Sequence, residues 1–187
     1  MKKKAIIISI SGTKLLKKEK KLLSYDKPWG LILFKRNIKS LIQIKKLTKE
    51  IRQASKDSKF PILIDEEGRT VSRLGKIINH TFSQKMFGDF YKNNRDLGIS
   101  FYKNYLNNLI FLLKMIGINI NTVPVLDVLR KNTTKIIGNR SFSFNLKIVK
   151  SLGQICVKQY DLNKLGTVIK HIPGHGCAIS DSHLKLP

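Results

Sequence analysis

Apolar residues in this chain come in runs of two lengths that alternate, and this alternation limits what the chain can fold into. Short runs occupy residues 5–11, 30–34, 61–65, 118–125 and 167–170. Each is continuous rather than alternating with polar residues, the pattern of strands covered on both faces. Longer amphipathic stretches lie between them. In NIKSLIQIKKLTKEIRQA, the residues Ile38, Leu41, Ile42, Leu47, Ile51 and Ala54 fall near one helical face. In FNLKIVKSLGQICVKQYDLN, the residues Val149, Leu152, Ile155, Cys156 and Tyr160 do the same, with Ser143 or Asn145 placed to cap the start. Residues 97–116 form a third such stretch. The order is β-α-β-α-β, an irregular insertion over residues 66–95, then α-β-α-β. Repeated β-α units imply an α/β fold with a parallel sheet. No low-complexity linker or internal repeat breaks the alternation, so residues 1–187 read as one domain.

The formal net charge is +24, from 36 Lys and Arg against 12 Asp and Glu, which taken alone suggests a polyanionic partner. The way the charge is carried argues otherwise. Nearly all of it is lysine, spread along predicted helix faces among abundant Ile and Asn, as AT-rich coding would produce. No nucleic-acid-binding motif accompanies it, so no specific nucleic acid is expected as a partner. Cys156 and Cys177 are too few for a disulfide framework, which fits a reducing cytoplasm. The opening MKKKAIIISISG imitates a signal peptide, but its apolar run is short and has no small-residue cleavage site, so it reads as a first buried strand. No run approaches the roughly 20 apolar residues that span a bilayer, and no membrane partner is expected.

Polar residues unsuited to a core recur where the apolar runs end. FPILIDEEG leads into Asp65, Glu66 and Glu67; INTVPVLDV reaches Asp127; TVIKHIPGHG reaches Lys170 and His171. Parallel sheets place their sites in the loops after the C-terminal strand ends. Three of the four histidines and one of the two cysteines fall in the last twenty residues. His171, His175, Cys177 and His183 are zinc-donor types, although Pro173 and Gly174 prevent the first two histidines from pairing one helical turn apart. Cys177 with a histidine base, or a glycine-rich loop with incidental histidines, are further readings of the same residues.

KHIPGHG followed by DSH closely resembles a signature of glycoside hydrolase family 3, specifically the bacterial β-N-acetylhexosaminidases that remove N-acetylglucosamine from cell-wall fragments during peptidoglycan recycling. GLILFKRNI, ILIDEEG, VSRL, INTVPVLDV and GNRSFS match in the family's order. The resemblance implies a (β/α)8 TIM-type barrel, truncated after about five β/α units. It implies that Asp65 holds sugar hydroxyls and that Arg73, Arg140, Lys170 and His171 contact the ring hydroxyls and the N-acetyl group. His183 would be the general acid/base and Asp181 its partner, a pairing that suits proton donation near neutrality. A buried Lys-Asp pair is the alternative role for Lys170. No cofactor and no metal are implied.

Two departures stand out. The family's Gly-Gly-Arg-Val is Gly68, Arg69, Thr70, Val71 here, which is expected to strain a turn that needs positive φ. Asn139 replaces the usual aspartate before Arg140, removing a charge that could orient it. The family's nucleophile, an aspartate in a Ser-Asp-Asp-like motif after the seventh strand, has no counterpart among the twelve acidic residues. The chain is therefore expected to be the N-terminal part of an enzyme, inactive alone, with the other half of the barrel as a possible partner. A sugar-binding remnant that has lost catalysis, or a basic nucleic-acid-binding protein, are the competing classes. If the charge is compositional, binding to duplex DNA in a gel-shift titration should be weak, indifferent to sequence and lost as salt rises.

Overall fold

The computed structural model describes residues 3–181. Five strands, β1 (Lys4–Ile8), β2 (Pro28–Leu33), β3 (Ile62–Ile64), β4 (Ile120–Asn121) and β5 (Gly166–Thr167), lie in chain order in one sheet. Every neighbouring pair is parallel. Helices α1 (Lys17–Tyr25), α2 (Leu41–Ser55), α3 (Gln84–Asn93), α4 (Arg95–Met115) and α5 (Leu146–Leu162) fill the connections. This is the β/α alternation read from the sequence, laid out as the first part of a barrel, with strand order equal to chain order.

Helix starts follow side-chain chemistry. Ser40 and Asn94 accept bonds from the backbone N–H of Gln43 and Leu97, and Asn145, not Ser143, caps α5 by accepting from the N–H of Lys147. At α1 the Glu19 carboxylate turns back to the N–H groups of Leu16 and Ser11. In α2 the buried stripe is Ile44, Leu47 and Ile51. Ile42 belongs to the predicted face yet is 84% exposed, because residues two apart on a helix point to nearly opposite sides. The predicted face of α5 is inside, with Val149, Leu152, Cys156 and Tyr160 all buried. Burial pushes the Cys156 thiol up to about 12, so it packs as a small apolar group.

Three expectations are corrected. First, β1 is not a buried strand. It sits at the sheet edge, with Ile6 51% and Ile7 45% exposed. Second, the paired parts of β4 and β5 are shorter than their apolar runs. Pro124 has no N–H to give the ladder, and pairing resumes only at the isolated Val125–Lys170 bridge. Third, the insertion is only partly irregular, because it contains α3. The Phe87 ring on α3 packs, tilted, against two rings of α4, with centroids 4.7 Å from Tyr102 and 4.8 Å from Tyr105. Met86, Phe87, Phe90 and Tyr91 recur there at helical spacing, but the stripe is short, and only Gln84, Phe87 and Gly88 of the helix are buried.

Among the described residues no helix is long and apolar enough to cross a membrane. Gly88 lets α3 lie against the backbone at Phe142, since a Cβ there would collide with the Phe142 carbonyl. Gly88→Ala should therefore destabilise the fold by about 1–3 kcal/mol. Gly75→Ala, where the added carbon would meet nothing closer than 3.9 Å, should change the thermal midpoint little.

Candidate active site

β3 delivers three consecutive acids to the C-terminal rim of the sheet, and a side chain from β4 continues the pairing where the strand ends. Asn121 accepts from the N–H of Glu66 at 3.0 Å and donates to its carbonyl at 2.9 Å. On this extended segment Asp65 and Glu67 point one way and Glu66 the other.

Asp65 gathers donors from three directions. The Thr122 hydroxyl donates to Oδ1, Arg73 Nη2 donates to Oδ2 at 2.8 Å, and Lys170 Nζ stands 3.5 Å from Oδ1. Burial would raise the Asp65 carboxyl, but the Thr122, Arg73 and Lys170 contacts outweigh it and hold it below the usual carboxylate range. Glu67, almost fully buried, takes a two-pronged grip from Arg140, with Nε 2.8 Å from Oε2 and Nη2 3.0 Å from Oε1. Lys170 Nζ lies 2.5 Å from Glu67 Oε1 and donates to the Thr122 hydroxyl at 2.9 Å. Burial lowers the basicity of Arg140, and the Glu67 carboxylate more than restores it.

His171 is held from both sides. Its Nδ1 lies 2.6 Å from Asp127 Oδ2, and Arg140 Nη2 is 3.2 Å from its Nε2. Because a guanidinium can only donate, these partners select the tautomer with the proton on Nδ1. The other oxygen of Asp127 accepts from the backbone N–H groups of His175 and Gly176, pinning the loop of the PGHG motif. Burial would raise the Asp127 carboxyl, but His171 and the two N–H groups bring it below its ordinary value.

A cleft of about 590 Å³ opens over these groups, lined by Asp65, Glu67, Arg73, Arg140, Lys170 and His171, and also by Asp181. The structure thus gathers the five expected sugar-contact residues and Asp181 on one cleft. His183 lies outside the described residues. The cations of the lining, Arg73, Lys135, Arg140 and Lys170, are balanced by Asp65, Glu67 and Asp181 of the lining together with the buried Asp127 behind His171, so this set is neutral overall. A wall of paired donors and acceptors without net charge suits a neutral, many-hydroxyl ligand. Among the described residues no three His, Cys, Asp or Glu side chains are grouped as metal ligands.

Lys170 is paired with two acids, so the buried Lys-Asp contact coexists with its place in the cleft. The two sequence departures are absorbed. Positive φ in the 68–71 turn falls on Gly68 alone, so Arg69 carries no strain, and the charge that orients Arg140 comes from Glu67 instead of position 139. Glu67, Thr122 and Asp127 are side chains of this network to which the sequence assigned no role. Glu67 and Asp127 were visible as charges after strands; Thr122, inside an apolar run, gave no signal.

Asp65 and Asp127 are more acidic in the fold than in the unfolded chain. The stability they contribute is present above the ordinary carboxylate pKa of about 4 and is lost as pH falls through their lowered native values. Thermal midpoints measured from pH 7 to pH 3 should hold steady and then drop below about pH 4. Asp127→Asn, which sets an amide donor against His171 Nδ1–H, should cost about 1–3 kcal/mol at neutral pH and flatten the acid slope.

Residues 2–187 match the model of the glycosyl hydrolase family 3 N-terminal domain. A β-hexosaminidase of Thioalkalivibrio sulfidiphilus is 31% identical over 182 residues, covering 97% of this chain and 52% of the relative. The structure of native NagZ from Neisseria gonorrhoeae superposes with a TM-score of 0.90 at 29% identity, covering 99% of this chain and 54% of that one. The same Neisseria gonorrhoeae protein in complex with N-trifluoroacetyl-D-glucosamine gives a TM-score of 0.89, also at 29% identity, with the same coverage. The chain spans about half the length of the curated relatives it matches. The strand order, the sequence of motifs and the matched length agree, and the chain belongs to glycosyl hydrolase family 3.

Proposed function

We propose that the cleft binds a terminal N-acetylglucosamine unit and that, in a complete barrel, it serves hydrolysis of β-linked N-acetylglucosamine from cell-wall (muropeptide) fragments. The observation that carries this reading is the charge-balanced cleft at the C-terminal rim, where carboxylates and cations hold each other in place and still face a sugar-sized space. The complex of the Neisseria gonorrhoeae relative with an N-acyl glucosamine supports the ligand class.

In this mechanism Asp65 accepts from two ring hydroxyls while Arg73, Arg140, Lys170 and His171 donate to or orient the rest of the sugar. His183 protonates the departing glycosidic oxygen, and Asp181 orients it and stabilises its charged form. Retention of configuration needs a carboxylate that attacks the anomeric carbon. Asp65, Glu67 and Asp127 are each engaged by several donors, an arrangement for gripping rather than attacking, and Asp181 is assigned to His183; with no Ser-Asp-Asp-like motif in the sequence, this reading takes the nucleophile from a segment not among these 187 residues. The role belongs to peptidoglycan recycling in the cytoplasm, a compartment consistent with two unpaired cysteines. The same engaged carboxylates favour a second reading, a sugar-binding protein without catalysis.

N-acetylglucosamine titrated into the 187-residue chain should give saturable NMR shift changes, and Asp65→Ala should weaken binding by about 2–3 kcal/mol, the loss of charged hydrogen bonds. The same chain should not turn over an aryl N-acetyl-β-glucosaminide above a buffer blank. In a longer chain with all eight β/α units, His183→Ala should cost far less on that activated substrate than on a natural disaccharide. Absence of sugar binding would reject the proposal, and turnover by the 187-residue chain would place the nucleophile within it.

A further inference from the structure

The Arg73 guanidinium reaches the cleft with little to hold its tip. Among the described residues it makes one hydrogen bond, Nη2 to Asp65, while its Nε is buried without a partner and its Cζ lies 5.7 Å from the centre of the Phe34 ring. Its aim is therefore set mainly by its backbone, and that backbone is held by Glu66. The Glu66 side chain, fully buried, points away from the cleft. Its Oε2 accepts from the N–H of Arg73 at 2.9 Å and of Leu74 at 2.8 Å. His80 Nε2 approaches Glu66 Oε1 to 2.6 Å, and neither atom has another partner. Asn121 fixes Glu66 itself through two bonds to its backbone. One carboxylate thus ties both ends of the 73–80 loop to the end of β3, next to the aspartate that Arg73 grips.

We infer that Glu66, backed by His80, is a positioning residue that sets Arg73 against Asp65 for sugar binding. This rests on the proposed binding of N-acetylglucosamine. A carboxylate is not essential to the role. A glutamine can accept both N–H bonds through its oxygen and donate its amide to a His80 nitrogen, whereas an aliphatic side chain leaves two buried N–H groups and His80 without partners.

The test uses the 187-residue chain and N-acetylglucosamine itself. Glu66→Gln should bind within about two-fold of the unaltered chain, and Glu66→Leu about ten-fold more weakly, as expected for a lost charged contact. Amide exchange at Arg73 and Leu74 should quicken in Glu66→Leu alone, with the rest of the sheet still protected. Should Glu66→Leu fail to fold, His80→Leu, which leaves both Oε2 bonds in place, should weaken binding and broaden the Arg73 guanidinium NMR signals. Equal binding by a folded Glu66→Leu or His80→Leu chain, with unchanged Arg73 signals, overturns the inference. If the unaltered chain binds no sugar, the sugar reading fails and the Arg73 signals alone decide: loosened in Glu66→Leu and restored in Glu66→Gln supports positioning, and unchanged in both overturns it.

Discussion

The buried carboxylate of Glu67 is the interaction on which the rim depends. A desolvated charge is tolerable only when its partners are close and well aligned, and Glu67 draws them from distant parts of the chain. Arg140 comes from the turn before α5, and Lys170 follows β5. Satisfying this one acid therefore fixes the loop after β3 against two segments that arrive much later in the sequence. Lys170 then reaches Asp65 and Thr122, and Arg140 reaches His171, so the network extends around the rim without a gap.

The sheet supplies the rigidity this network needs. β3 is buried on both faces and flanked by a strand on each side, so Asp65, Glu66 and Glu67 leave a well-anchored end. Asn121 extends the anchoring by replacing ladder bonds with side-chain bonds, and it contacts the buried Tyr160 hydroxyl of α5 as well. The adjacent insertion has almost no strand of its own. It is shaped by Glu66, by Gln84 Nε2 donating to the Glu67 carbonyl, and by the aromatic packing of Phe82 and Phe87 against α4.

The large positive charge does not concentrate in the cleft, where cations and carboxylates balance. Most lysines are exposed and many are on helices, which fits a compositional surplus carried on the surface. A protein can bear such a surplus because solvent and salt screen exposed charges, whereas the few desolvated ones must be matched individually.

The alternation of strands and helices, the positions of α2, α4 and α5 and the strand-end location of Asp65, Lys170 and His171 were legible in the sequence, because run length and helical spacing are local properties; α3 was not read, and the order of the strands came with the family's motifs. The motifs added which of the strand-end charges belong together. Other features were decided by tertiary structure. That Asp65 and Glu67 face the cleft while Glu66 turns inward follows from the strand's alternation once its end is pinned by Asn121. That Asp127 holds both His171 and the PGHG loop, and that Thr122 belongs to the site, follows from packing between β4 and β5. The exposure of β1 was likewise invisible, since burial depends on what lies opposite a residue. The sequence alone determined the alternation of elements and the chemical types at the strand ends; only the folded structure decided which buried charge meets which partner, because that choice depends on distances between residues far apart in the chain.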